Sequence, residues 1–176
     1  MEEKKAKVSS LISDLMKISA ESSPKATEDF LTVVVLDGGE IEILAEEMFQ
    51  LSDEFDDESY SEEGEFIESS DEVILVGLED HPPLDIDCRA CGYESCDDFS
   101  EAEETEDIFK GPNCIFRVLD LGMALGNAAN TSEMHHLDPT LSIRGGLAAK
   151  HLGLIDSRVC LAVTANHTKE KNYYKP

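Results

Sequence analysis

The chain has 176 residues, and its 39 acidic against 14 basic side chains give a formal net charge of −25. That balance disfavours nucleic acid and anionic membrane surfaces as partners, because both are held through Lys and Arg. Trp is absent and aromatic residues are only 6%, so no aromatic platform for nucleic acid is evident, while the length suffices for one domain with one sizeable core.

Val8, Leu11, Ile12, Leu15, Met16 and Ile18 recur at helical spacing and predict an amphipathic helix over 4–20, ended by Ser22-Ser23-Pro24. Phe30 to Leu36 is a short β-branched apolar run of strand length, and Asp37-Gly38-Gly39 turns the chain. Ile41, Leu44, Met48 and Leu51 predict a helix over 40–52. Residues 53–72 are acidic and Ser-rich and read as a mobile loop; no Lys or Arg occurs between Lys25 and Arg89. Val73 to Gly77 is a second strand, closed by His81-Pro82-Pro83, and 97–110 is acidic with a short helix in it.

Gly111-Pro112-Asn113 precedes a strongly apolar helix from Ile115 to about Ala129. Gly122 and Gly126 lie four apart on it. Arg117 and Asp120 speak against a membrane, so the spacing predicts close packing against another backbone. Asp138-Pro139-Thr140 reads as the start of a helix that runs to Gly153, and Val159 to Val163 is a third strand. The tail from Asn166 is basic and polar. Strands alternating with helices predict an α/β (or α+β) fold: a small layered sheet with flanking helices and a cysteine-rich insert. The expected organisation is a single domain over 1–176, with a cluster-binding insert at 84–114.

The N-terminus carries no uninterrupted apolar segment or cleavage pattern, and no stretch reaches 18 uncharged apolar residues, so a cytoplasmic protein without a membrane span is expected. In that compartment thiols stay reduced, and clustered cysteines point to metal or redox chemistry. The acidic surface has two readings: a solvated face that maintains solubility, or complementarity to a basic partner protein.

Three of the five cysteines fall in CRACGYESC, and the spacing runs Cys88-x2-Cys91-x4-Cys96-x17-Cys114. Cys160 stands apart in the third strand and reads as a small core hydrophobe. In Cys88-x2-Cys91 both sulfurs of one turn can converge on a metal, and Gly92 lets the backbone close tightly around it. Four thiolates are the ligand set of a [4Fe–4S] cluster and also of structural zinc. Four-cysteine zinc sites commonly pair two short knuckles, whereas this chain has one knuckle and two single cysteines. Zinc remains the alternative. Cys114 falls at the mouth of a helix, where the dipole favours anionic sulfur.

The C-x2-C-G-x3-C run followed by a distant Cys resembles the single-cluster [4Fe–4S] domain of several redox subunits. The wider segments CRACGYESCDDF, GPNCIFRVLDLGMALGNAAN and LAAKHLGLIDSRVCLAV resemble an uncharacterised bacterial and archaeal family described as containing a ferredoxin domain. That resemblance implies a cluster on Cys88, Cys91, Cys96 and Cys114 and leaves the reaction open. Separately, the first helix followed by SSPKA and a strand resembles the start of flavin-dependent nitroreductases, which implies FMN near Ser22–Lys25, fed with electrons by the cluster.

Other groups carry less. A vicinal pair such as His135 and His136 points in divergent directions and suits a surface or structural role. Asp85 and Asp87 flank the first cysteine but are not singled out among so many carboxylates. Gly145-Gly146 lacks the Lys-Ser/Thr of a phosphate loop, and no nucleophile motif is present. The leading expectation is a [4Fe–4S] electron-transfer protein meeting a basic redox partner. The alternatives are an interaction module with a structural zinc or Fe–S site, and a small flavoenzyme.

Overall fold

Inside the sheet, β6 (Val159–Asn166) pairs antiparallel with β2 (Glu72–Leu78) on one side and β5 (Asp138–Ser142) on the other. With β1 (Leu31–Val35) against the far edge of β2, the sheet order is β1-β2-β6-β5, antiparallel throughout. The computed structural model describes residues 2–26, 28–106 and 109–167. The basic tail expected from Asn166 lies outside the described residues from 168 onward.

Helices cover both faces. α1 (Glu2–Glu21) and α5 (Ile115–Met134) lie on one; α2 (Gly38–Phe55), α3 (Glu58–Glu68) and α6 (Ile143–His151) lie on the other. Because β2 is covered twice, it is apolar at consecutive positions. Ile74 and Val76 join Met16, Ala124 and Val163 on the first side, while Val73 and Leu75 join Leu44, Met48 and Ile67 on the second. Each such fully buried aliphatic side chain contributes roughly 2 kcal/mol. The fold is therefore mixed α/β, with three layers. Among the described residues no helix is long and apolar enough to cross a membrane.

The stretch 53–72, expected as a mobile loop, is instead the end of α2 followed by α3 and the start of β2. Tyr60, Gly64 and Ile67 recur at helical spacing and are buried, and Asp57 caps the helix by accepting from the Ser59 N–H at 3.0 Å. The acidic residues between them face outward and hide that pattern.

The helix expected from Asp138 begins only at Ile143. Residues 138–142 form edge strand β5, and Ser142 is the N-cap, its Oγ accepting from Gly145 N–H at 2.7 Å. Pro139 fits an edge strand, where a missing donor costs no ladder bond.

Gly122 and Gly126, expected to meet another backbone, have no atom within 4 Å of where a Cβ would stand. The close approach occurs at Gly146, where a Cβ would lie 1.9 Å from the Cys160 carbonyl oxygen. α6 thus packs its backbone directly on β6.

Between β2 and α5 the chain makes short α4 (Cys96–Ser100) and a two-residue hairpin, β3 (Thr105–Glu106) with β4 (Lys110–Gly111). This connection carries three of the five cysteines and delivers the chain to a fourth.

Candidate functional site

Where β2 ends, its chain passes Glu79 and reaches His81, half-buried edge-to-face against Phe30 with ring centroids 6.5 Å apart. His81 Nδ1 lies 2.9 Å from the Glu79 carbonyl, and its Nε2 accepts the Cys114 backbone N–H at 3.2 Å. Both contacts suit the neutral ring protonated at Nδ1. Burial, the largest influence, lowers its pKa from the ordinary value.

Residues 85–92 then turn sharply. Asp85, Asp87, Arg89 and Gly92 all have left-handed backbone, with φ of 59°, 46°, 58° and 91°. Only the last is a glycine, so three side chains sit where L-residues are uncommon. Cys88 is exposed and Cys91 half-buried on this turn. Asp87 Oδ1 accepts the Cys96 backbone N–H at 2.7 Å. Ser95 caps α4 by accepting from Asp98 N–H at 3.0 Å, and Phe99 anchors it edge-on to Tyr93, centroids 5.6 Å apart.

Cys96 and Cys114 are both buried. Cys114 is the N-cap of the 20-residue α5, and its side chain makes no capping hydrogen bond. The expected position at a helix mouth is therefore observed, and the α5 dipole favours an anion there. A cavity of about 260 Å³ lies between His81, Pro82, Pro83, Phe99, Pro112 and Arg158. All five cysteines are free thiols. Among the described residues, no three Cys, His, Asp or Glu side chains stand together as a group able to hold a metal. The Asp87 carboxylate and the His81 ring, close in sequence to Cys88, thus hold the backbone amides of Cys96 and Cys114.

Cys160 is fully buried in β6, opposite Gly77, and burial pushes its thiol up to about 12. It is core, as expected. His135 and His136 are exposed at the C-terminal end of α5.

One residue that matters here escaped sequence reasoning. Arg158, 7% exposed, precedes β6. Its guanidinium donates to Asp80 at 2.7 Å, Glu104 at 2.6 Å, Asn113 Oδ1 at 3.1 Å and the Pro112 carbonyl at 3.0 Å. Burial opposes its charge, but the Glu104 and Asp80 hydrogen bonds outweigh that and raise its pKa. Those bonds in turn hold both carboxyls below the usual carboxylate range. Lys110 joins the group 2.9 Å from Glu104.

The SSPKA segment is fixed elsewhere, over the start of α5. Asp120 Oδ1 accepts from Ala26 N–H at 2.9 Å, and Arg117, stacked 4.5 Å from the Phe30 ring, donates to the Glu28 carbonyl at 2.9 Å. The Lys25 ammonium pairs with Asp29 at 3.2 Å. Ser23 Oγ and Arg117 Nε are buried without a hydrogen-bond partner.

This arrangement of sheet and helices is a nitroreductase-like fold. The chain superposes on NfrA1 of B. megaterium with a TM-score of 0.56 at 15% identity, covering 95% of this chain and 61% of that one. It also superposes on the NADPH:FMN oxidoreductase of Vibrio harveyi (TM-score 0.54, 13% identity, 94% and 62% covered). A BluB-like flavoprotein of Clostridium difficile 630 matches at a TM-score of 0.52 and 13% identity, with 94% and 83% covered. The chain spans about three-fifths of the length of the first two.

In sequence, it is 36% identical over 161 residues to an uncharacterized protein of Archaeoglobus fulgidus, covering 91% of this chain and 87% of that protein. Residues 110–175 match the family described as "uncharacterized protein containing a ferredoxin domain" (DUF2148). The chain belongs to that family.

Proposed function

We propose that the chain binds a [4Fe–4S] cluster through Cys88, Cys91, Cys96 and Cys114 and passes single electrons to and from a basic partner protein. Membership of a family described as containing a ferredoxin domain supports this. The carrying observation is that one short segment, His81 to Asp87, accepts the backbone N–H of both Cys96 and Cys114 and leads directly into Cys88. The donor set also fits: four free thiols, two buried and two on a tightly turned loop.

A bound cluster supplies one-electron chemistry. The protein's own contributions are distinct. The N-terminus of α5 stabilises negative charge at Cys114. His81, held neutral, fixes the Cys114 amide. The acidic surface opposes added electrons and favours a low potential. Glu46, Asp53 and Glu54 on α2 and Glu58, Glu62 and Glu65 on α3 are exposed carboxylates, and a cationic partner complements them.

Anaerobic purification with metal analysis and paramagnetic resonance of the reduced protein tests this. About four iron atoms per chain and a reduced-cluster signal are expected. Cys88→Ser, Cys91→Ser, Cys96→Ser and Cys114→Ser each lower the iron, and Cys160→Ser does not. Zinc at about one atom per chain overturns the cluster in favour of a structural site.

A second reading is FMN at Ser22–Lys25. Two observations favour it: the fold likeness to an FMN oxidoreductase, and the unpartnered buried Ser23 Oγ in that segment. Protein purified in air then shows the two visible bands of a flavin; a single broad shoulder without them rules FMN out.

A further inference from the structure

We propose that Arg158, far in sequence from the cysteines, is the positioning residue of the segment that carries them, an inference that rests on the cluster reading for its functional meaning. The guanidinium reaches three separate stretches of that segment. Asp80 precedes Cys88, Glu104 follows Cys96, and Pro112 with Asn113 stands immediately before Cys114. No other side chain described here bridges all three.

Arg158 is in turn anchored in the sheet. Its backbone N–H donates to the Leu78 carbonyl at 2.7 Å, at the end of β2. Its own carbonyl accepts from the Lys110 backbone N–H at 3.1 Å and from Lys150 Nζ at 3.1 Å. The side chain thus transmits the position of the rigid sheet to the loop region. A planar guanidinium suits this role, because it presents several donors in fixed directions where an ammonium presents one point of charge.

The thiols give a direct readout. Cys96 and Cys114 are 8% and 4% exposed on the segment, whereas Cys160 is 0% exposed in the sheet and reports on the core alone. The full chain, reduced and free of metal, is labelled with a maleimide near neutral pH, and each cysteine is followed by mass spectrometry. Arg158→Gln is expected to speed labelling of Cys96 and Cys114 by about tenfold, as local opening of the segment requires, while Cys160 stays protected. Arg158→Lys restores part of that protection. The double variant Asp80→Asn with Glu104→Gln removes the partners in place of the arginine and gives the same pattern even if Arg158→Gln does not fold.

In the anaerobically loaded protein, the same variants release iron to a chelator faster than the parent chain. Unchanged Cys96 and Cys114 rates in Arg158→Gln and in the double variant overturn the inference. Equal acceleration at Cys160 also overturns it, since Arg158 then holds the whole fold. A parent chain that takes up no iron defeats the cluster reading alone, because the labelling rates still decide what Arg158 holds.

Discussion

The sheet and the cysteine-bearing connection are held by different forces. The sheet is gripped by apolar side chains on both faces: Leu75 and Met48 on one, Ile74 and Met16 on the other, all fully buried. The connection from Glu79 to Cys114 has a small apolar anchor at Phe99 and otherwise relies on Arg158, Lys110, His81 and Asp87. A scaffold of the first kind tolerates changes of pH and salt, and a site of the second kind responds to them. The two regions should therefore come apart experimentally.

The sharpest break is on the sheet side. Gly146→Ala forces a methyl group into the Cys160 carbonyl, so α6 must lift from β6, and destabilisation of about 3 kcal/mol is expected in denaturant unfolding. Leu75→Ala, emptying a fully buried site, is expected to cost about 3 kcal/mol as well, with iron content unchanged in the molecules that stay folded.

Acid acts on the other side. The folded pKa values of Asp80 and Glu104 lie below their unfolded values, chiefly through the Arg158 hydrogen bonds. The stability they contribute is fully present above the unfolded carboxylate range, around pH 4, and is lost as pH falls through the lower folded values. Nuclear magnetic resonance should show the Arg158 Nη–H signals, which face Asp80 and Glu104, shifting or broadening below about pH 4, before the sheet amides of β2 and β6 do. Simultaneous loss of both sets would erase the distinction.

The smallest effect is a gain. Gly122→Ala meets open space on α5 and should stabilise the chain by about 0.5–1 kcal/mol, visible as a raised Tm.

The sequence reveals the scaffold where a residue pattern has one cause. Val73 to Val76 is apolar at every position because β2 is covered twice, and α1, α2 and α5 show the helical period openly. It conceals α3, whose buried Tyr60, Gly64 and Ile67 are outnumbered by carboxylates, and β5, a largely exposed edge strand opened by Asp138-Pro139. The glycine pairs exchange roles for a related reason: spacing records that a close approach is possible, and only the tertiary arrangement shows that α6 makes one.

At the candidate site, the cysteines stand out in the sequence because three of the five fall within nine residues. Arg158 does not, because its partners lie 45 to 78 residues away and nothing local marks it.

Strand β6, central in the sheet, is the last element in chain order among the described residues. On the ribosome, β2 therefore emerges with its apolar run after β1, but with one edge an open row of backbone donors and acceptors, and waits for about eighty further residues before its second neighbour, β6, arrives. Such a bare edge invites pairing with the wrong chain. High-separation pairing of this kind also slows the closing step, so the nascent protein spends its most vulnerable interval with Cys88, Cys91, Cys96 and Cys114 already translated and the sheet still incomplete.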